Sequence, residues 1–171
     1  AHRFGGATAE ERIALRQAGS HDAILVMGPT GPAQFPDLIA HRLTPVLYRL
    51  DMVQVFAAAV PPNAAPYSVH VKIETGMGRL GVLPPEMPDL VALPAFRATL
   101  RLEGLMTHLA DADNADATHT EKQLAEFQQT LDTLRQNGLS CPLTHAANSA
   151  GIINYPASLY SLVRPGIMLY G

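Results

Sequence analysis

Cysteine is almost absent from this 171-residue chain: Cys141 is the only one. No disulfide can form within the chain, and a cysteine-based metal site is excluded. That fits a reducing, cytoplasmic compartment, and no metal is expected. Long apolar runs are missing too. None approaches the roughly 20 residues that a membrane-spanning helix needs. No basic-then-apolar leader precedes the first helical stretch, so nothing suggests export. Charge is sparse and nearly balanced, with Lys+Arg 12, Asp+Glu 15 and a formal net charge of -3. Nothing in that balance points to nucleic acid or an anionic membrane as a partner, although local cations can still hold a small anionic ligand. Hairpin signals, fixed-period repeats and interdomain linkers are likewise absent.

What remains is a globular composition, 47% hydrophobic and 16% charged, of a length that suits one domain. Short apolar runs alternate with amphipathic helical stretches. Thr8 to Glu11 reads as a capping box opening a helix that Gly19 stops. Ala23 to Met27 reads as a buried strand, Ala33 to His41 as a helix, and Thr44 to Tyr48 as a strand. Asp51 is placed to cap a helix through Ala59, ended by Pro61-Pro62. A strand over Tyr67 to Thr75 precedes a short, proline-interrupted helix over Pro85 to Leu93. Leu100 to His108 is a further strand. The clearest helix runs from Thr118 to Asn137, with Thr118 and Glu121 at capping-box spacing and a stripe of Leu124, Phe127, Leu131 and Leu134. Strands over Leu143 to Ala147 and Leu162 to Leu169 complete six or seven strand–helix units.

Regular βα alternation implies parallel strands covered by helices. The expected fold is α/β, a parallel (β/α)8 TIM-type barrel. Eight units and about 250 residues are usual for that fold, so this chain reads as one unit short. An open doubly wound sheet is the competing architecture, but no G-x-G-x-x-G follows the first strand.

Polar residues collect where such folds place their sites, at strand ends and in the loops that follow. His70, Lys72 and Glu74 alternate with Val69, Val71 and Ile73, which puts three polar side chains on one strand face. That face is either a solvated edge or the barrel interior. Thr75 to Arg79 combines two glycines with an arginine suited to phosphate, carboxylate or phenolate. His108 ends another strand. Asn148 and Ser149 form a strand-to-helix turn that is either a plain N-cap or an anion cradle. Arg164 stands among apolar residues, before Pro165 and Gly166.

The segments KIETGMGRLGV, THLADAD, HAANSAG and VRPGIMLYG, in that order, resemble the successive motifs of the alanine racemase family. More loosely, FGGATAEERIALRQAG resembles the family's second strand and helix, so the resemblance covers essentially residues 1–171 and implies a barrel lacking its first strand–helix unit. It implies a pyridoxal 5'-phosphate enzyme of fold-type III that interconverts L- and D-alanine for peptidoglycan supply, with alanine as substrate and a homodimer as assembly. Lys72 matches a lysine that is often carbamylated to orient an arginine, and Arg79 matches that arginine. Arg164 matches the arginine facing the pyridine nitrogen, and His108 the histidine supporting it. Asn148, Ser149 and the backbone N–H groups of Gly166 and Ile167 match the phosphate cradle. An arginine at the nitrogen leaves it largely neutral, which favours racemisation over other fates.

Two family features have no match here: the cofactor-bearing lysine motif, and the C-terminal β domain with its tyrosine base. The chain is therefore expected to be a fragment, inactive alone and prone to associate through unpaired strand edges. Amino-acid decarboxylases share the architecture, but the run from Lys72 to Arg79 and the ending RPGIMLYG favour the racemase branch. The alternative readings are a fold-type III enzyme acting on another amino acid, as a serine or broad-specificity racemase, or a non-catalytic barrel that holds the cofactor.

Overall fold

The computed structural model describes residues 3–139 and 141–171. Six strands form one sheet: β1 (Arg3–Gly6), β2 (Ala23–Val26), β3 (Thr44–Leu47), β4 (Tyr67–Lys72), β5 (Leu100–Met106) and β6 (Leu143–His145). All five pairings are parallel, and the spatial order equals the chain order. The helices between them are α1 (Ala9–Gln17), α2 (Phe35–Ala40), α3 (Leu50–Ala59), α4 (Met87–Ala92), α5 (Ala95–Ala98) and α6 (Thr118–Gln136). They are followed by α7 (Ser149–Asn154) and α8 (Ile167–Tyr170).

A strand order that never reverses has no topological switch point, which removes the doubly wound alternative. The sheet also curls. Flat, β1 and β5 would stand about 19 Å apart at about 4.8 Å per strand. Yet Arg3 on β1 reaches the Glu103 carboxylate on β5 at 3.1 and 3.2 Å. The architecture is thus a partial TIM-type barrel, with its strands inside and its helices outside.

The alternation expected on β4 sorts as barrel geometry requires. Val69, Val71 and Ile73 are fully buried in the main core, which also takes in Phe56 of α3 and Leu124, Phe127, Leu131 and Leu134 of α6. His70 and Lys72 face the other way and are also buried, so the solvated-edge reading fails. A separate small apolar group, Leu25, Val46 and Met106, shares the barrel interior. On β5 the register slips, because Val69 pairs with Leu102 while His70 pairs with Gly104. The extra residue is Glu103, and the bulge turns both Glu103 and Gly104 inward.

Three local expectations need correction. The last apolar run, Leu162 to Leu169, is no strand. Leu162 and Arg164 donate to the Thr144 and Ala147 carbonyls, after which Pro165 supplies no donor and the chain turns into α8. Asp51 does not cap α3; Arg49 holds that position, and the Asp51 carboxylate pairs with its guanidinium. Thr118 does not open a capping box either. It lies inside α6, its N–H taken by Asp116 Oδ1 at 3.0 Å. The box at Thr8 and Glu11 does form. Among the described residues no helix is long and apolar enough to cross a membrane.

Candidate functional site

The expected residues stand at the carboxyl ends of β4, β5 and β6 and just beyond them. Lys72 ends β4 and is buried, while Arg79 is exposed on the loop that follows. His108 comes two residues after β5, and Arg164 approaches it from the stretch after β6. Burial, then the cations Arg164, Lys72 and Arg79, push the His108 pKa down to about 4. Burial lowers the Lys72 pKa first, and Arg79 beside it adds to the effect. Three cations and a neutral histidine therefore share one small region, an arrangement that favours an anionic guest.

Among the described residues the carboxylate beside them, Glu74, is committed to its own loop. It accepts the N–H groups of Gly76 at 2.6 Å and Arg79 at 3.2 Å. Burial would raise its pKa, but these bonds, with contributions from Gly78 and Met77, hold it below the usual value. Glycines at φ +129 and +71, Gly76 and Gly78, let the loop wrap that carboxylate. The G-x-G stretch thus cradles Glu74 and presents Arg79, and its own N–H groups are not aimed at a ligand.

Arg164 is the best-held side chain of the group. It donates from Nη1 to His145 Nδ1 at 2.8 Å, and from Nη2 to the Thr107 and Ala146 carbonyls, both at 2.8 Å. His108 Nδ1 is farther away, at 3.4 Å. His145, which the motif order does not single out, is thus its nearest imidazole partner. Burial lowers the Arg164 pKa to about 10, so the guanidinium stays charged at neutral pH.

Donor logic extends the contact inward. Arginine only donates, so His145 Nδ1 must accept and its proton sits on Nε2. That N–H points at His70 Nδ1, 2.9 Å away. His70 therefore carries its own proton on Nε2, which lies 3.6 Å from Glu103 Oε2, beyond ordinary hydrogen-bond length and with no closer partner. Arg3 then closes the series on Glu103. Burial, then Arg164, pushes the His145 pKa to about 2, and burial lowers that of His70. Both rings are neutral at pH 7, as the tautomer argument requires. The His70 contact and Arg3 together hold Glu103 down to about 2, against the penalty of burial. Gly104 makes room for this, since a Cβ there would stand 2.2 Å from the His70 ring.

The expected phosphate cradle is partly occupied from within. Asn148 caps α7, with Oδ1 accepting from Gly151 N–H at 2.9 Å and Nδ2 donating to Leu109 O at 3.1 Å. Ser149 Oγ accepts from Met168 N–H at 3.1 Å, which ties α7 to α8. The Gly166 N–H donates to Arg164 O at 2.9 Å. Ile167, at the first turn of α8, is exposed. Among the described residues no cluster of His, Cys, Asp or Glu could hold a metal ion.

Comparison with known proteins places this geometry. Residues 1–171 match the family described as "Alanine racemase, N-terminal domain". An alanine racemase of Desulforamulus reducens is 37% identical over 173 residues, covering 100% of this chain and 46% of the relative. A solved alanine racemase of Clostridium difficile 630 superposes with a TM-score of 0.94 at 32% identity, covering 99% of this chain and 47% of that one. One from Bacillus anthracis, with bound L-Ala-P, gives 0.90 at 28%, over 100% and 44%. The chain spans about half the length of the curated relatives it matches.

Proposed function

The chain belongs to the alanine racemase N-terminal domain family, and from that premise we propose that its parent protein interconverts L- and D-alanine using pyridoxal 5'-phosphate. Residues 1–171 would then be part of the cofactor-binding barrel. The rest of the barrel, a second domain and a second subunit would complete the site.

The observation that carries this reading is the setting of Arg164. A guanidinium with three contacts at 2.8 Å is aimed by neutral acceptors, beside two further cations and with Glu74 tied up in its loop. The residues fit an anionic aromatic cofactor: Arg164 would donate to the pyridine nitrogen, and Arg79 to the phenolic oxygen and the substrate carboxylate. Ser149, Asn148 and the amides of Gly166 and Ile167 would border the phosphate, provided the present Gly166 and Ser149 contacts are exchanged for it. His108, neutral at pH 7, would support Arg164 without adding charge.

When bound, the cofactor draws electron density away from the substrate Cα–H bond. Arg164 cannot readily release a proton to the ring, so it limits that withdrawal, and proton exchange at Cα must rely on two well-placed bases. Lys72 suits a different task. Its lowered pKa raises the share of free amine, the form that adds to carbon dioxide to give a carbamate and one proton. The resulting carboxylate would orient Arg79.

The test is hydrogen exchange. Full-length protein supplied with pyridoxal 5'-phosphate should exchange the α-hydrogen of both L- and D-alanine in deuterated buffer and equalise the enantiomers. No exchange from either enantiomer at saturating cofactor would overturn the reading. Purified residues 1–171 should show no racemisation.

A further inference from the structure

Helix α6 places one side chain against the site that no motif explains. Gln123 lies one turn before Phe127 on the helix's buried stripe and is fully buried itself. Its amide is in full use. Oε1 accepts from the Ala110 N–H at 2.9 Å, while Nε2 donates to the His108 carbonyl at 3.0 Å and to Thr75 Oγ1 at 3.3 Å. Thr75 in turn shares a 2.7 Å hydrogen bond with Thr107. One turn earlier on the same helix, His119 Nε2 stands 3.2 Å from the Gly76 carbonyl. Gly76 lies close against the helix, where a Cβ would come within 3.0 Å of His119 and 3.3 Å of Gln123 Cγ.

These contacts join two separate stretches: the loop after β4 that presents Arg79, and the segment after β5 that presents His108. Thr120 and Thr130 are also buried on this helix, but the Thr130 hydroxyl bonds back to the Glu126 carbonyl and the Thr120 hydroxyl has no partner among the described residues, so neither joins the two stretches. A glutamine is suited to the place because one end must accept and the other donate. An ionised glutamate can only accept, and methionine does neither to a useful degree.

We propose that Gln123 is a positioning residue that holds the Arg79 loop and the His108 segment in register, and so sets the spacing at which they meet the cofactor. The proposal rests on the functional reading above. It concerns geometry, and a shift of about 1 Å in such a constellation is worth on the order of 100-fold in rate.

Full-length wild-type protein, Gln123→Met and Gln123→Glu test it. Gln123→Met is expected to lower kcat about 10- to 100-fold with little change in KM, and to move the NMR resonances of the Arg79 guanidinium and the His108 ring, in protein still folded at the assay temperature. Gln123→Glu adds an internal rescue. Ionised, its carboxylate faces the His108 carbonyl and is repelled; protonated, it regains a donor. Its activity relative to wild type should therefore rise as pH falls. A wild-type kcat with unmoved resonances in Gln123→Met, whatever happens to its Tm, would refute positioning. Should Gln123→Met fail to fold, a Gln123→Glu to wild-type ratio that is flat with pH refutes it instead. Should wild type not racemise alanine, the functional reading falls, and the Arg79 and His108 resonances still decide this one.

Discussion

Replacing Glu103 by glutamine should weaken the fold at neutral pH, and progressively less as the pH falls toward about 3. The carboxylate is held at a pKa of about 2 against an ordinary 4.5. At about 1.36 kcal/mol per pH unit, that interval corresponds to about 3 kcal/mol. Arg3 and Glu103 keep 22% and 16% of their side-chain surface exposed, so screening reduces this, and a loss of about 1–2 kcal/mol at pH 7 is the working value. The sign is fixed by the direction of the shift. A carboxyl with a depressed folded-state pKa contributes its full stability above about 4.5, and loses it as pH falls toward about 2. By pH 3 roughly two-fifths of the contribution should remain. Urea unfolding of residues 1–171 at pH 7, 5 and 3 measures the difference between wild type and Glu103→Gln at each pH. A gap that stays constant from pH 7 to pH 3 would show that Glu103 acts through shape alone, and the interior charge pairing argued above would be wrong.

The same interior makes further predictions. Gly104→Ala places a Cβ 2.2 Å from a ring that cannot move into solvent, and should cost about 1–3 kcal/mol in chemical denaturation; a change below about 0.5 kcal/mol would contradict the packing. Nitrogen-15 NMR of labelled histidine should find His70 and His145 as neutral Nε2–H tautomers at pH 7, and a proton on His145 Nδ1 would break the donor argument. Lys72 should take up ¹³C-labelled bicarbonate as a carbamate signal that disappears in Lys72→Ala; a signal equal in both would locate it elsewhere. Ile153, Ile167, Leu169 and Tyr170 are each more than two-thirds exposed, and β1 stands at one end of the strand order, paired with β2 alone among the described strands. Residues 1–171 alone should therefore associate in light scattering as concentration rises, and a clean monomer at high concentration would argue against an open barrel edge.

The extent to which the sequence announced all this depends on the distance over which each feature is defined. Local signals were legible: the Thr8 capping box, the stripe on α6, and the split of β4 into a Val69-Val71-Ile73 face and a His70-Lys72 face. The run from Leu162 misled because an apolar stretch reads as a strand wherever it occurs. Pairing, by contrast, is decided by neighbours, and here β6 is only three residues long. Lys72, Arg79, His108 and Arg164 drew notice through the order of their motifs, which says nothing of what holds them.

The supporting residues lie beyond the reach of periodicity. Strict alternation on β5 would put Gly104 with Leu100 and Leu102 on the helix side. A single bulge reverses that parity, so Glu103 and Gly104 both face inward and Leu105 takes the helix side. Arg3 and Glu103 are 100 residues apart, His70 and His145 are 75 apart, and each becomes meaningful only when the sheet curls. Gln123 is polar on the buried face of α6, but Thr120 and Thr130 are buried there too, so pattern alone does not single it out. Such a residue implies a buried partner, and the carbonyl it faces belongs to His108. The candidate site is thus announced by strand-end motifs, whereas the geometry that holds it is written in polar residues on faces that pattern alone assigns to the core.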